Sequence, residues 1–183
     1  MMRTAREMLN FAIQNRYGHD HRILKNAIAH FRVIENQLAP HEVVGFCFIG
    51  NYRANNTEKI GTTAFAVTDS KIIIAKKEFD ATRTKQVALK NINDMVKRTY
   101  TIYGEIIFQT QDDIFGVIQD QDETRRTYKA LLAYLDEMKY RASQPRQSAD
   151  QVASEIMRYK RLADDGYITH EDFEAKKKKL LGI

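Results

Sequence analysis

The side chains of this chain that could perform chemistry are five histidines, one cysteine, two adjacent aspartate pairs and a run of four lysines. His19-Asp20-His21 alternates groups able to hold a metal, with His30 and His41 following. A zinc centre draws four ligands from Cys and His at recognised spacings, and no such set is present, so no metal is expected. His19 and His21 read instead as polar residues at a helix start. Cys47 lies inside Val43-Val-Gly-Phe-Cys-Phe-Ile49, the setting of a small buried strand residue rather than a reactive thiol. Being alone, it makes no internal disulfide. Asp112-Asp113 and Asp164-Asp165 each fall at a turn or helix end, where aspartate caps backbone groups. There is no Gly-rich phosphate loop, no HExxH and no nucleophile elbow. The expectation is therefore no catalytic residue, no metal and no cofactor.

The cationic groups invite a different chemistry, the neutralisation of phosphates. The net charge is +5, but it is spread thinly. Residues 148–183 carry seven basic and seven acidic groups, residues 39–141 fifteen and fourteen, and residues 1–38 six and three; Arg146 supplies the remainder. A nucleic-acid binder concentrates its cations on one face, because affinity follows the number of phosphates neutralised together. That partner is disfavoured. Lys176 to Lys179 are four consecutive residues of a predicted helix and so point in four directions. Glu171, Asp172 and Glu174 stand one turn earlier and offset them, which makes the run a solvated face rather than a membrane contact. No apolar stretch reaches membrane-spanning length and no signal-peptide pattern opens the chain, so a cytoplasmic location is expected.

Periodicity supplies the elements that position these groups. Ala5, Met8, Leu9, Ala12 and Ile13 mark one amphipathic helix; Leu24, Ala27, Ile28, Phe31, Ile34 and Leu38 mark a second. Asp20 is its N-cap and Pro40 its stop. Their stripes are suited to covering a neighbouring domain or a partner subunit. From His41 the rhythm changes to that of strands, at about 42–49, 59–68, 71–77, 83–89, 94–103, 105–110 and 113–119. Lys85, Val87 and Leu89 share one face of the fourth. A helix over roughly 122–141 follows, with Tyr128, Leu131, Leu132, Leu135 and Met138 on one side. The fold class is α+β: a seven-stranded antiparallel barrel or sandwich with a C-terminal capping helix, flanked by an N-terminal helical pair and a C-terminal two-helix hairpin.

This order of seven strands and one helix resembles the pleckstrin-homology superfold. Leu38-Ala-Pro-His-Glu, Phe65-Ala-Val-Thr-Asp-Ser-Lys-Ile-Ile-Ile-Ala and Val87-Ala-Leu-Lys-Asn-Ile-Asn-Asp-Met-Val look like bacterial PH domains of the YokE-like type. The chain departs from that pattern with His41-Glu42 for a Gly-Glu and Lys71 for an Arg. The resemblance implies a domain over residues 39–141, after helices at 1–38. Headgroup-binding PH domains place several cations around the first hairpin loop, whereas this one offers only Arg53 and Lys59, with Glu58 beside them. Specific lipid binding is not expected.

After a short linker at 142–147, residues 148–183 form a predicted hairpin of two helices. Ser148 and Gln151 have capping-box spacing, Gly166 ends the first helix, and Thr169 with Asp172 caps the second. The run Leu162-Ala-Asp-Asp-Gly-Tyr-Ile-Thr-His-Glu-Asp-Phe-Glu-Ala-Lys-Lys-Lys-Lys-Leu-Leu-Gly resembles the SHOCT (short C-terminal) family. That resemblance implies a bacterial or phage-borne protein and an interaction or oligomerisation module. A hairpin this small cannot hide all its apolar side chains. Tyr159, Leu162, Tyr167, Phe173, Leu180 and Leu181 are the expected contact residues. The expected partner is another protein or a second copy of this chain, with a lipid surface and a host protein bound by a phage effector as rival readings.

Overall fold

The computed structural model describes residues 2–18, 27–54, 58–143 and 149–181. His19, Asp20, His21 and Ser148, to which the sequence assigns helix starts, and Leu24 of the second apolar stripe lie outside the described residues.

Helix α1 spans Ala5–Gln14 and opens on a capping box. The Glu7 backbone N–H donates to Thr4 Oγ1 at 3.2 Å, and the Thr4 N–H donates to Glu7 Oε2 at 2.9 Å. Helix α2 spans Ala27–Glu35. The two are tied together where the Ala5 N–H donates to Glu35 Oε2 at 3.0 Å. Each turns a stripe inward: Ala5, Met8 and Ala12 from α1, and Ala27, His30, Phe31 and Ile34 from α2.

Seven strands follow: β1 Phe46–Ala54, β2 Glu58–Val67, β3 Lys71–Lys77, β4 Thr82–Ala88, β5 Ile92–Thr99, β6 Gly104–Thr110 and β7 Ile114–Gln119. They form one antiparallel sheet in the order β4-β3-β2-β1-β7-β6-β5, so the first and last strands are neighbours at its centre. Every expected strand is present, with two of them displaced: β1 runs Phe46–Ala54 rather than 42–49, and β5 runs Ile92–Thr99 rather than 94–103. β1 starts at Phe46 rather than residue 42, because the backbone of Val44 is paired with Met2 in an isolated bridge. β5 ends at Thr99, because the Tyr100 N–H donates to the Tyr103 carbonyl at 2.9 Å and closes a turn.

Strand alternation sends side chains to two separate cores. On the inner face Phe46, Phe48, Phe65, Val67, Ile72, Ile74, Ile106, Phe108, Phe115 and Val117 pack together. The cross-strand pairs Phe48–Phe65 and Phe108–Phe115 stack at 4.7 and 4.8 Å between centroids. Each such pair is worth about 0.5–1.5 kcal/mol beyond the area it hides. Helix α3, Gln121–Ser143, adds Leu131 to this core, with Tyr128, Tyr134 and Leu135 packed at its margin. On the outer face Cys47, Ile49, Ala64, Ala66, Ile73 and Ala75 meet the apolar stripes of α1 and α2. The N-terminal helices thus cover their own domain's sheet. β1 is buried from both sides, which is why Phe46-Cys-Phe-Ile49 is apolar without alternation.

The chain divides into two compact units, Met1–Met138 and Lys139–Ile183. The second contains helices α4, Ala149–Asp164, and α5, His170–Leu181. α4 ends in a Schellman motif: the Tyr167 N–H reaches the Leu162 carbonyl at 2.9 Å and the Gly166 N–H the Ala163 carbonyl at 3.0 Å. Gly166, at φ +78°, takes the left-handed position that this motif requires. α5 opens on a reciprocal cap, with the Asp172 N–H donating to Thr169 Oγ1 at 3.1 Å and the Thr169 N–H to Asp172 Oδ2 at 3.2 Å. The Thr169 hydroxyl, donating to Asp172 Oδ2 at 2.6 Å, and the Thr169 N–H hold the Asp172 carboxyl below its ordinary pKa.

Candidate interaction surface

The hairpin of α4 and α5 spends its apolar residues unevenly. Phe173 is buried and belongs to the hairpin's interior, with His170 beside its ring. Tyr159, Leu162 and Leu180 are half-buried, as are Val152 and Ile156. Tyr167 and Leu181 stand in solvent, at 78% and 48% exposure, and so does Met157 at 64%. Of the six contact residues expected from the sequence, one is interior, three are shared between interior and surface, and two are open. Met157 was not among them; its position outside the Ile156–Tyr159 stripe reads as a solvent face, and an exposed Met there is a local departure from pattern. It lines a shallow depression with Ser154, Arg158, Arg161 and Leu162.

The lysine run is partly used within this unit. Lys176 Nζ stands 5.1 Å from the centroid of the Tyr159 ring, joining α5 to α4. Lys177 donates to Glu174 at 3.1 Å and lies over Phe173. Lys178 and Lys179 are exposed.

In the first unit, Arg53 and Lys85 are each committed to a structural anion. Arg53 forms an ion pair with Glu105, which is fully buried on β6, and Gly116 between them on β7 leaves the space that this carboxylate fills. The side chain of Lys59 lies outside those described. Lys85 leaves β4 for the inner face, pairs with Asp113 in the β6–β7 turn, donates to Tyr52 Oη at 3.3 Å and sits 4.9 Å above the Phe115 ring. Burial would lower its pKa, but Asp113 and Tyr52 outweigh that and raise it. Asp113 accordingly serves as a structural anion as well as a turn residue.

Lys71, which stands where the PH-like pattern has an Arg, meets Glu42, the acid that the pattern keeps. Lys71 Nζ is 3.1 Å from Glu42 Oε2, which also accepts the Ala39 N–H at 3.2 Å. Burial alone would raise the Glu42 pKa, yet the Ala39 N–H and Lys71 hold it below the ordinary carboxylate range. Thr68 completes the turn, its Oγ1 accepting the Lys71 N–H at 3.2 Å. The cluster clamps the start of the domain to the β2–β3 hairpin.

Of the titratable groups singled out in the sequence, Cys47 and His30 have structural roles. Cys47 is fully buried and its S–H donates to the Met8 carbonyl at 3.1 Å; burial raises its thiol pKa far above normal. His30 is buried under the sheet, whereas His41 is exposed. Among the described residues no group of three or more His, Cys, Asp or Glu could hold a metal. No described helix is long and apolar enough to cross a membrane.

A protein-family model described as a bacterial PH domain matches residues 38–131. No curated protein matches the chain. The matched span covers the seven strands and the first half of α3.

Proposed function

The chain belongs to the bacterial PH domain family, and from that membership we propose that it is a non-catalytic protein-association module of bacterial or phage origin. The PH-like unit acts as the scaffold, and the SHOCT-like terminal hairpin is the self-association or docking element. One observation carries this reading: the hairpin is well capped at its turn, yet Met157, Tyr167 and Leu181 remain in water. Full burial of a large apolar side chain is worth about 1.5–3 kcal/mol, so covering these three supplies a drive to associate. A cytoplasmic setting suits a lone thiol kept buried and reduced.

A lipid headgroup is the weaker reading, because Arg53, one of only two cations near the first hairpin loop, is held by Glu105. Light scattering on the intact chain beside a version ending at Gln147 tests the proposal. Association that disappears with the tail supports it. Two monomers at micromolar concentration would end the self-association reading and move docking to a foreign protein ahead.

A further inference from the structure

We propose that two side chains, Asp94 and Tyr128, guard the β5 edge of the sheet against pairing with a further strand. β5 ends the sheet, with β6 on one side and no strand among the described residues on the other. Such an edge is a template for another chain. The ladder fixes which backbone groups face outward. The Tyr100 N–H donates to the Tyr103 carbonyl, so Arg98 with Glu105 and Val96 with Ile107 are the pairs that exchange bonds with β6. Met95, Lys97 and Thr99 therefore turn their N–H and C=O groups away from it. At Met95 both groups are taken. The N–H donates to Asp94 Oδ1 at 2.8 Å, and the carbonyl accepts the Tyr128 hydroxyl of α3 at 3.2 Å.

The two edges of the sheet differ in what their charges permit. On β4, Arg83 and Lys85 share one face, and antiparallel pairing with a second β4 centred on Thr84 sets Arg83 opposite Lys85 in both directions. Like charges blunt that edge. β5 has no such barrier. Antiparallel pairing of two β5 strands centred on Val96 sets Asp94 opposite Arg98 twice, on the face away from Lys97. Centred on Lys97 instead, two lysines meet, so the Val96 register is the one the charges favour. In that register Met95 lies opposite Lys97, and every bond of those pairs uses a Met95 N–H or carbonyl. Those are the groups that Asp94 and Tyr128 hold. The two side chains supply the refusal that the charges of β5 do not.

The full-length chain carrying Asp94→Ala with Tyr128→Phe tests the guard, read by sedimentation and by amide exchange at Lys97 and Thr99. In the unaltered chain these two amides should exchange at rates independent of protein concentration. In the double variant they should slow by about tenfold or more as concentration rises, while the sedimenting mass grows beyond that of the unaltered chain. Thermal unfolding shows whether the double variant folds. Should it not, Asp94→Ala alone carries the test: its Met95 amide should exchange faster than in the unaltered chain, and an unchanged rate overturns the guard. In a folded double variant, Lys97 and Thr99 amides that ignore concentration overturn it too. So do amides at these positions that already slow with concentration in the unaltered chain, because the edge would then be open. The readout is local to β5, so each of these results leaves the association reading of the tail to its own test.

Discussion

The backbone N–H of Lys77 donates to Nδ1 of His30 at 2.8 Å, joining α2 to the end of β3. An accepting Nδ1 requires the neutral ring. Burial, reinforced by the nearby Lys76 charge, lowers the His30 pKa below its ordinary value.

A pH dependence follows from that bond. Above about pH 6.5 the imidazole is neutral in both folded and unfolded chains, and its contribution is complete. Below that, the unfolded chain takes the proton more readily, so stability declines as the pH falls toward the depressed folded value. Urea unfolding from pH 7.5 down to 5 should show this decline, and His30→Asn, which retains an acceptor, should flatten it. The acids Glu7 and Glu42 are held below their ordinary carboxylate values and lose their contribution only at lower pH.

The Glu42–Lys71 clamp should be costly to break from one side. Lys71→Ala leaves a carboxylate that is only 7% exposed without its cation and should cost about 1–3 kcal/mol. Glu42→Gln keeps an acceptor for the Ala39 N–H and should cost less. Chemical denaturation midpoints compare the two.

Two glycines with positive φ should respond differently to alanine. At Gly18, φ +100°, a Cβ would lie 2.4 Å from the Ile49 carbonyl oxygen, so backbone strain and collision add. At Gly166, φ +78°, nothing lies within 4 Å. Gly166→Ala should cost about 1–2 kcal/mol, the left-handed penalty alone, in its own unit. Gly18→Ala should cost more, and calorimetry that found the two equal would contradict the close approach.

Tyr167 and Leu181 are expected to matter to association and not to folding. Replacing both by serine should change thermal stability by no more than about 0.5 kcal/mol, as for other surface positions, while weakening self-association. Loss of folding on substitution would show that these side chains pack in the interior.

Cys47 should resist thiol reagents in the native chain. Its sulfur is fully buried and bonded to the Met8 carbonyl, so modification should proceed only as fast as the protein opens. Prompt labelling without denaturant would refute that placement.

Much of this architecture was legible because its punctuation is local. The strands at 59–68 and 71–77, the Asp112-Asp113 turn and the Thr169–Asp172 cap depend on neighbouring residues and lie where the sequence places them. Thr4 and Glu7 form a capping box equally open to a local reading. What was not legible arises at long range. Nothing near Val44 announces its bridge to Met2, and nothing in α1 or α2 says that the sheet's outer face is what they cover. Lys85 stood on an apolar face in the sequence, but its anion, Asp113, is contributed by a turn 28 residues away. The tail's contact residues were chosen by apolarity, which cannot separate Phe173, consumed by the hairpin, from Tyr167, left outside. Met157 lies off the stripe, so helical periodicity does not mark it.

The central pairing of β1 with β7 has a consequence for how the molecule is made. On the ribosome, residues 51–54 emerge long before their partners at 115–118, and the sheet stays open in the interval. Helices α1 and α2 are synthesised earlier still and can already shelter one side of β1. The amino-terminal segment would then work as a built-in escort, guarding a sticky unfinished ribbon until translation delivers the strand that completes it.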